Sequence, residues 1–134
     1  MANANLLAIL VAALCGFLIG GLWYGPLFGK LWQREAAISD EAMRATNPIK
    51  LFGLTFLFSV LSAVFLGHLL ASTGVSKPHV VMMISVGVAL GFIIPAFGTN
   101  YLFGRKSGML FAIDAGYWVM FYAAMGGVFV LLGS

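Results

Sequence analysis

Four apolar segments, each more than twenty residues long, take up most of this chain and decide what it can become. They run from about Asn3 to Tyr24, Pro48 to Ser72, Pro78 to Leu102 and Gly108 to Leu132. At a rise of about 1.5 Å per residue, a helix of that length matches a bilayer hydrocarbon core of about 30 Å. A helix also satisfies its own backbone polar groups, which lipid cannot do. An outer-membrane barrel would show alternating segments of about ten residues instead. Composition agrees. The chain is 62% hydrophobic and 8% charged, whereas a soluble domain is about 45–50% apolar and about 25% charged. Too little polar surface remains to cover a globule in water. The expected fold is an all-α membrane protein with four transmembrane helices. It forms a single membrane domain over 1–134, with the lipid bilayer as its first partner.

The chemistry at the span ends supports these boundaries. Asn47 reads as an N-cap with Pro48 at the first helical position; Ser76 and Pro78 read the same way before the third span, and Ser107 before the fourth. The one sizeable polar piece, residues 28–46, is expected to lie along the interface as a short helix or two. Ser39 followed by Asp40 and Glu41 marks a helix start there. Trp32, Ile38 and Met43 are suited to the membrane surface, and Lys30, Arg34 and Arg44 to headgroups.

The net charge of +3 reports topology. Lys30, Arg34, Arg44, Lys50, Arg105 and Lys106 fall in the first and third loops, and only Lys77 falls on the other side. By the excess of Lys and Arg in cytoplasmic loops, residues 25–47 and 103–107 are expected to be cytoplasmic and both termini outside. For a Gram-negative bacterium, the outside would be the periplasm. Trp23, Tyr24, Phe28, Trp32, Tyr101 and Phe103 would form an aromatic belt. The basic residues make no groove, so no nucleic-acid partner is expected. No Lys or Arg precedes Lys30, so the charged region of a signal peptide is missing and the first segment is expected to stay as a span. Cys15 stands alone, which excludes an intrachain disulfide.

Gly16–Lys30 reads GFLIGGLWYGPLFGK and Gly91–Arg105 reads GFIIPAFGTNYLFGR, with six identities in an ungapped alignment. The second and fourth spans align more weakly, through Leu51-Phe52 with Leu110-Phe111 and Gly67 with Gly126. The expectation is a tandem repeat of two similar helical hairpins, 3–72 and 78–132, sharing one orientation. A shared interfacial pattern of apolar helix, aromatics and basic anchor is the alternative.

Small residues recur at helical spacing: Gly16 and Gly20, Gly21 and Gly25, Ser59, Ala63 and Gly67, Gly87 and Gly91, and Ala112 and Gly116. Lipid provides no hydrophobic drive between helices, so such faces let backbones approach. Gly16, Gly20, Gly87, Gly91 and Gly116 are the expected helix-packing positions. Faces left over would serve a homo-oligomer or a larger membrane complex. Pro95 should kink the third span and free a carbonyl.

Asp114 is the sharpest residue, about two turns inside the fourth span. A carboxylate in a membrane marks a functional or pairing site. Its expected partners are Asn100 and Tyr101 at the end of span three, Trp118 at i+4, and Arg105 or Lys106 reaching inward. Thr99 would line the same region or cap the helix end. Two readings stand. One is a binding site for a small solute, lipid or ion; the other is a structural hydrogen bond. Tyr117, Trp118 and Tyr122 would line an apolar pocket or simply pack. His68 and His79 lack a third ligand, so no metal or cofactor is expected. No catalytic constellation is present, and an enzyme is not expected.

The stretches Leu-Trp-Tyr-Gly-Pro-Leu-Phe-Gly-Lys (22–30), Asn-Tyr-Leu-Phe (100–103) and Ile-Asp-Ala-Gly-Tyr (113–117) resemble the small bacterial membrane family catalogued as domain of unknown function 1761. The resemblance covers nearly the whole chain. It implies a four-helix inner-membrane protein with no assigned activity. It also implies Asn as the usual residue where this chain has Asp114, and His where it has Trp118, so that hydrogen bonding matters more than charge at position 114.

Overall fold

A computed structural model describes residues 5–134, and among these residues all regular structure is helical. Four helical stretches are long and apolar enough to cross a membrane: Leu6–Leu27, Pro48–Thr73, Pro78–Phe103 and Gly108–Leu132. The first begins as α1 (Leu6–Leu22), capped by the Asn5 side chain, which accepts from the Ala8 N–H at 3.1 Å. It continues through a widened π-helical turn, Trp23–Leu27, around Pro26. There the Phe28 N–H reaches back five residues to the Trp23 carbonyl at 2.9 Å. Proline has no N–H and its ring crowds the preceding turn, and an extra residue per turn relieves both.

Two short helices follow, α2 (Gly29–Glu35) and α3 (Asp40–Ala45), the second capped by Ser39. Gln33 braces their junction by donating to the Ile38 carbonyl and to Asp40. The long α4 (Pro48–Thr73) starts at the Asn47 cap and stops at Gly74, whose φ of 66° is the left-handed conformation that glycine adopts without a Cβ clash. The third span comprises α5 (Pro78–Val88), a second widened turn at Ala89–Ile93, and α6 (Ile94–Phe103). Ser76 does not cap α5. Lys77 holds that position without a side-chain bond, and Pro78 removes one of the donors a cap would satisfy. The expected break at Pro95 takes the form of the turn just before it, where the Ile94 N–H bonds the Ala89 carbonyl. Last, α7 (Gly108–Leu132) is capped by Ser107 at 3.0 Å from the Leu110 nitrogen.

The chain's first and last spans lie at the centre. Helix α1 packs against both α4 and α7, and α7 also packs against α5. Small residues set these approaches. A methyl group at Gly16 would sit 2.5 Å from the Phe121 ring, one at Gly20 3.1 Å from the Tyr117 hydroxyl, and one at Gly116 2.8 Å from the Trp23 indole. Between α1 and α4, the buried Ser59 donates to the Ala13 carbonyl at 2.7 Å, and Gly67 lies under Phe129 and Ile9. Gly126 accommodates Ser85 between α5 and α7. Gly87 and Gly91 are different: among the described residues nothing lies within 4 Å of a methyl group at either.

The two hairpins differ in packing. A two-fold relation would pair the α1–α7 contact with one between α5 and α4. The first is close, whereas α4 and α5 barely meet and leave a cleft of about 440 Å³ over Tyr122. The widened turn also sits at the end of the first span but in the middle of the third. The repeated sequence pattern is therefore not matched by repeated packing.

Candidate functional site

The polar centre of the bundle is Asp114, on the second turn of α7 and only 7% exposed. Both of its carboxylate oxygens are engaged. Tyr24, from the widened turn of the first span, donates its hydroxyl to Oδ1. Tyr101, from the last turn of α6, donates to Oδ2. One side chain thus links the first, third and fourth spans. Lipid offers no replacement partner, so a buried carboxylate needs such donors.

The widened turn at Trp23–Leu27 explains how two consecutive residues both reach α7. Beside Tyr24, the Trp23 indole N–H donates to the Ile113 carbonyl at 2.8 Å, and its ring lies over Gly116. Tyr24 is held edge-on by Tyr117 (centroids 5.2 Å apart) and by Trp32 of α2 (5.6 Å). Tyr101 is held by Phe97 (5.3 Å) and Phe111 (6.4 Å). The phenols are therefore fixed in position by aromatic neighbours.

Of the partners expected for Asp114, Tyr101 is present. Trp118 instead packs among Tyr117, Phe121 and Tyr122, with centroids 4.8, 5.0 and 6.3 Å away. Asn100 is exposed, and its carbonyl accepts from the Gly104 N–H at 2.8 Å. Arg105 and Lys106 are exposed. The partner missed from the sequence is Tyr24, assigned there only to an aromatic belt. The available signal was depth, since Tyr24 and Asp114 lie at comparable distances from the loops at the same end. His68 Nδ1 lies 2.9 Å from the Val64 carbonyl of its own helix. Among the described residues, no group of three His, Cys, Asp or Glu side chains is placed to hold a metal.

Beside this hub, α6 and the start of α7 border an open cleft of about 490 Å³. Its walls are apolar, with Pro95, Gly98, Leu102 and Phe111 among them, and its polar groups are Thr99, Tyr101, Lys106 and Ser107. The Thr99 hydroxyl donates to the Pro95 carbonyl of its own helix at 2.8 Å. Tyr101 belongs to both features: it lines the cleft and bonds Asp114. Asp114 is not among the residues that line the cleft, and Tyr101 joins the two.

Residues 7–130 match the family described as Protein of unknown function (DUF1761), and the chain belongs to that family. No curated protein and no solved structure matches it.

Proposed function

For this member of the DUF1761 family, we propose a binding function within the membrane. The ligand is a small amphiphile drawn from the bilayer, and it occupies the cleft between α6 and α7. The observation that carries this reading is the cleft itself, with apolar walls and a polar rim that includes Thr99, Lys106 and Ser107. Asp114 serves as a positioning residue. With Tyr24 and Tyr101 filling both its oxygens, it braces the cleft wall and does not meet the ligand. The protein acts as a binder or carrier, not as a catalyst. The end that holds the cleft carries six of the seven Lys and Arg residues, which favours a cytoplasmic orientation in a bacterial inner membrane.

The test is native mass spectrometry of the protein extracted gently from its own membrane. The expected result is a reproducible bound molecule that is lost in Gly108→Leu. Gly108 lines the cleft, and nothing lies within 4 Å of a methyl group placed there, so the added side chain fills space without disturbing the bundle. Equal retention by the variant would remove the cleft as the site, and absence of any bound molecule would remove the function.

A second reading has its own observation. Gly87 and Gly91 form an open small-residue face on the third span. Such a face suits another membrane helix, as expected of an accessory subunit or a homo-oligomer. Co-purification of a second chain at fixed stoichiometry, abolished by Gly87→Leu with Gly91→Leu, would support it. A protein that purifies as a lone monomer would exclude it.

A further inference from the structure

Resting on the binding reading above, we infer that the cleft between α6 and α7 takes an anionic phospholipid of the surrounding bilayer, with its phosphate at Lys106 and an acyl chain along the apolar wall. Among the described residues, Lys106 is the one charged side chain that lines the cleft. It lies in a wider basic field. Lys30, Arg34, Arg44, Lys50, Arg105 and Lys106 are all exposed at this end, against three acidic residues in its loops, Glu35, Asp40 and Glu41. A zwitterionic headgroup would bring its own cation into that field, whereas an anionic one would not. A phospholipid can meet Lys106 with its phosphate and the apolar residues of the same cleft with its chain, whereas free phosphate can use only the first.

The loop backbone fixes where Lys106 stands. Arg105 ends α6 in the left-handed conformation, φ 56°, as Ala37 does after α2 with φ 57°. The turn that results lets the Lys106 N–H bond the Tyr101 carbonyl at 2.9 Å, which anchors the basic pair beside the cleft.

The experiment measures retention of phosphatidylglycerol and phosphatidylcholine by native mass spectrometry, on the full chain in detergent, with inorganic phosphate as a competitor. Wild type should retain phosphatidylglycerol several-fold over phosphatidylcholine. Lys106→Gln should lower that preference about fivefold, the effect of one Lys near an anionic surface. Lys30→Gln, at the same end but outside the cleft, should not. Thermal unfolding without added lipid checks that both variants fold. Equal retention of the two lipids, or equal losses in the two variants, would overturn this inference and leave the binding reading standing. Displacement of the lipid by millimolar inorganic phosphate would also overturn it, in favour of a soluble anion. Retention of neither lipid would overturn the inference too, while the binding reading would still stand or fall on the molecule carried from the native membrane.

Discussion

Removing the hydroxyls that face Asp114 tests whether this carboxylate ties three spans together. Tyr24→Phe and Tyr101→Phe each delete one hydrogen bond and leave the ring, with its aromatic neighbours, in place. A hydrogen bond to a charged group contributes about 1.5–3 kcal/mol in soluble proteins, and interhelical bonds in membranes about 0.6–2 kcal/mol. Asp114 is 7% exposed, so water does not easily replace a lost donor. Each single variant should therefore be destabilised by about 1–2 kcal/mol, a factor of roughly 5–30 in the unfolding equilibrium. The two phenols share one carboxylate, so their losses should not add. The double variant leaves Asp114 with neither donor and should lose more than the sum. Asp114→Asn should be mild, within about 1 kcal/mol, because its amide accepts from one hydroxyl and donates to the other. Asp114→Leu keeps the bulk, leaves both phenols without an acceptor, and should cost more than Asp114→Asn. Equilibrium unfolding in mixed micelles measures all five. If the phenylalanine variants match wild type within about 0.3 kcal/mol, or if Asn and Leu at 114 are equally harmful, the tie is not what holds these spans.

Three further outcomes follow from the packing. Gly16→Leu should weaken the α1–α7 contact by about 1–3 kcal/mol or more, since even a methyl group there lies 2.5 Å from the Phe121 ring. Phe121→Ala in the same chain should recover part of that loss, as read by thermal unfolding. Gly91→Ala should be neutral or stabilising by up to about 1 kcal/mol, because no neighbour approaches it and Gly is the poorer helix former. Arg105→Gly should raise stability by about 1 kcal/mol by relieving the left-handed backbone. The same variant should bind anionic lipid less well, so stability and binding move in opposite directions.

The sequence made depth in the membrane legible, and it did not make direction around each helix legible. The ends of the spans are written in caps and prolines: Asn47-Pro48, Pro78 and Ser107 lie where the helices begin. Asp114 was legible as a polar centre because a carboxylate inside an apolar run has few explanations. Its partner Tyr24 was not, because that contact depends on α1 and α7 being neighbours and on a widened turn that local pattern does not encode. Glycine spacing shows the same limit. Gly16–Gly20 and Gly87–Gly91 have the same spacing, yet Phe121 and Tyr117 fill the first face and nothing fills the second. Similar hairpin sequences likewise did not imply similar neighbours, since large aromatics on α7 meet glycines on α1 and no equivalent pairing joins α4 to α5.

Asn5 gives the bundle a property of its connectivity. Its carbonyl oxygen caps the start of α1, while its amide donates to the carbonyls of Leu132 and Gly133 at 2.8 and 3.2 Å, at the end of α7. One side chain therefore serves the unpaired groups of two helix ends. Asn5 and Gly133 therefore meet at one end of the bundle, the same end as the Gly74–Lys77 turn. The fold is nearly a closed ring that happens to be cut at this point. Joining the ends and reopening the ring at Gly74–Lys77 would send no segment across the bilayer in a new direction. It would also bring Tyr24 and Asp114, now 90 residues apart, to about half that separation along the chain and lower the loop-closure entropy of the central contact.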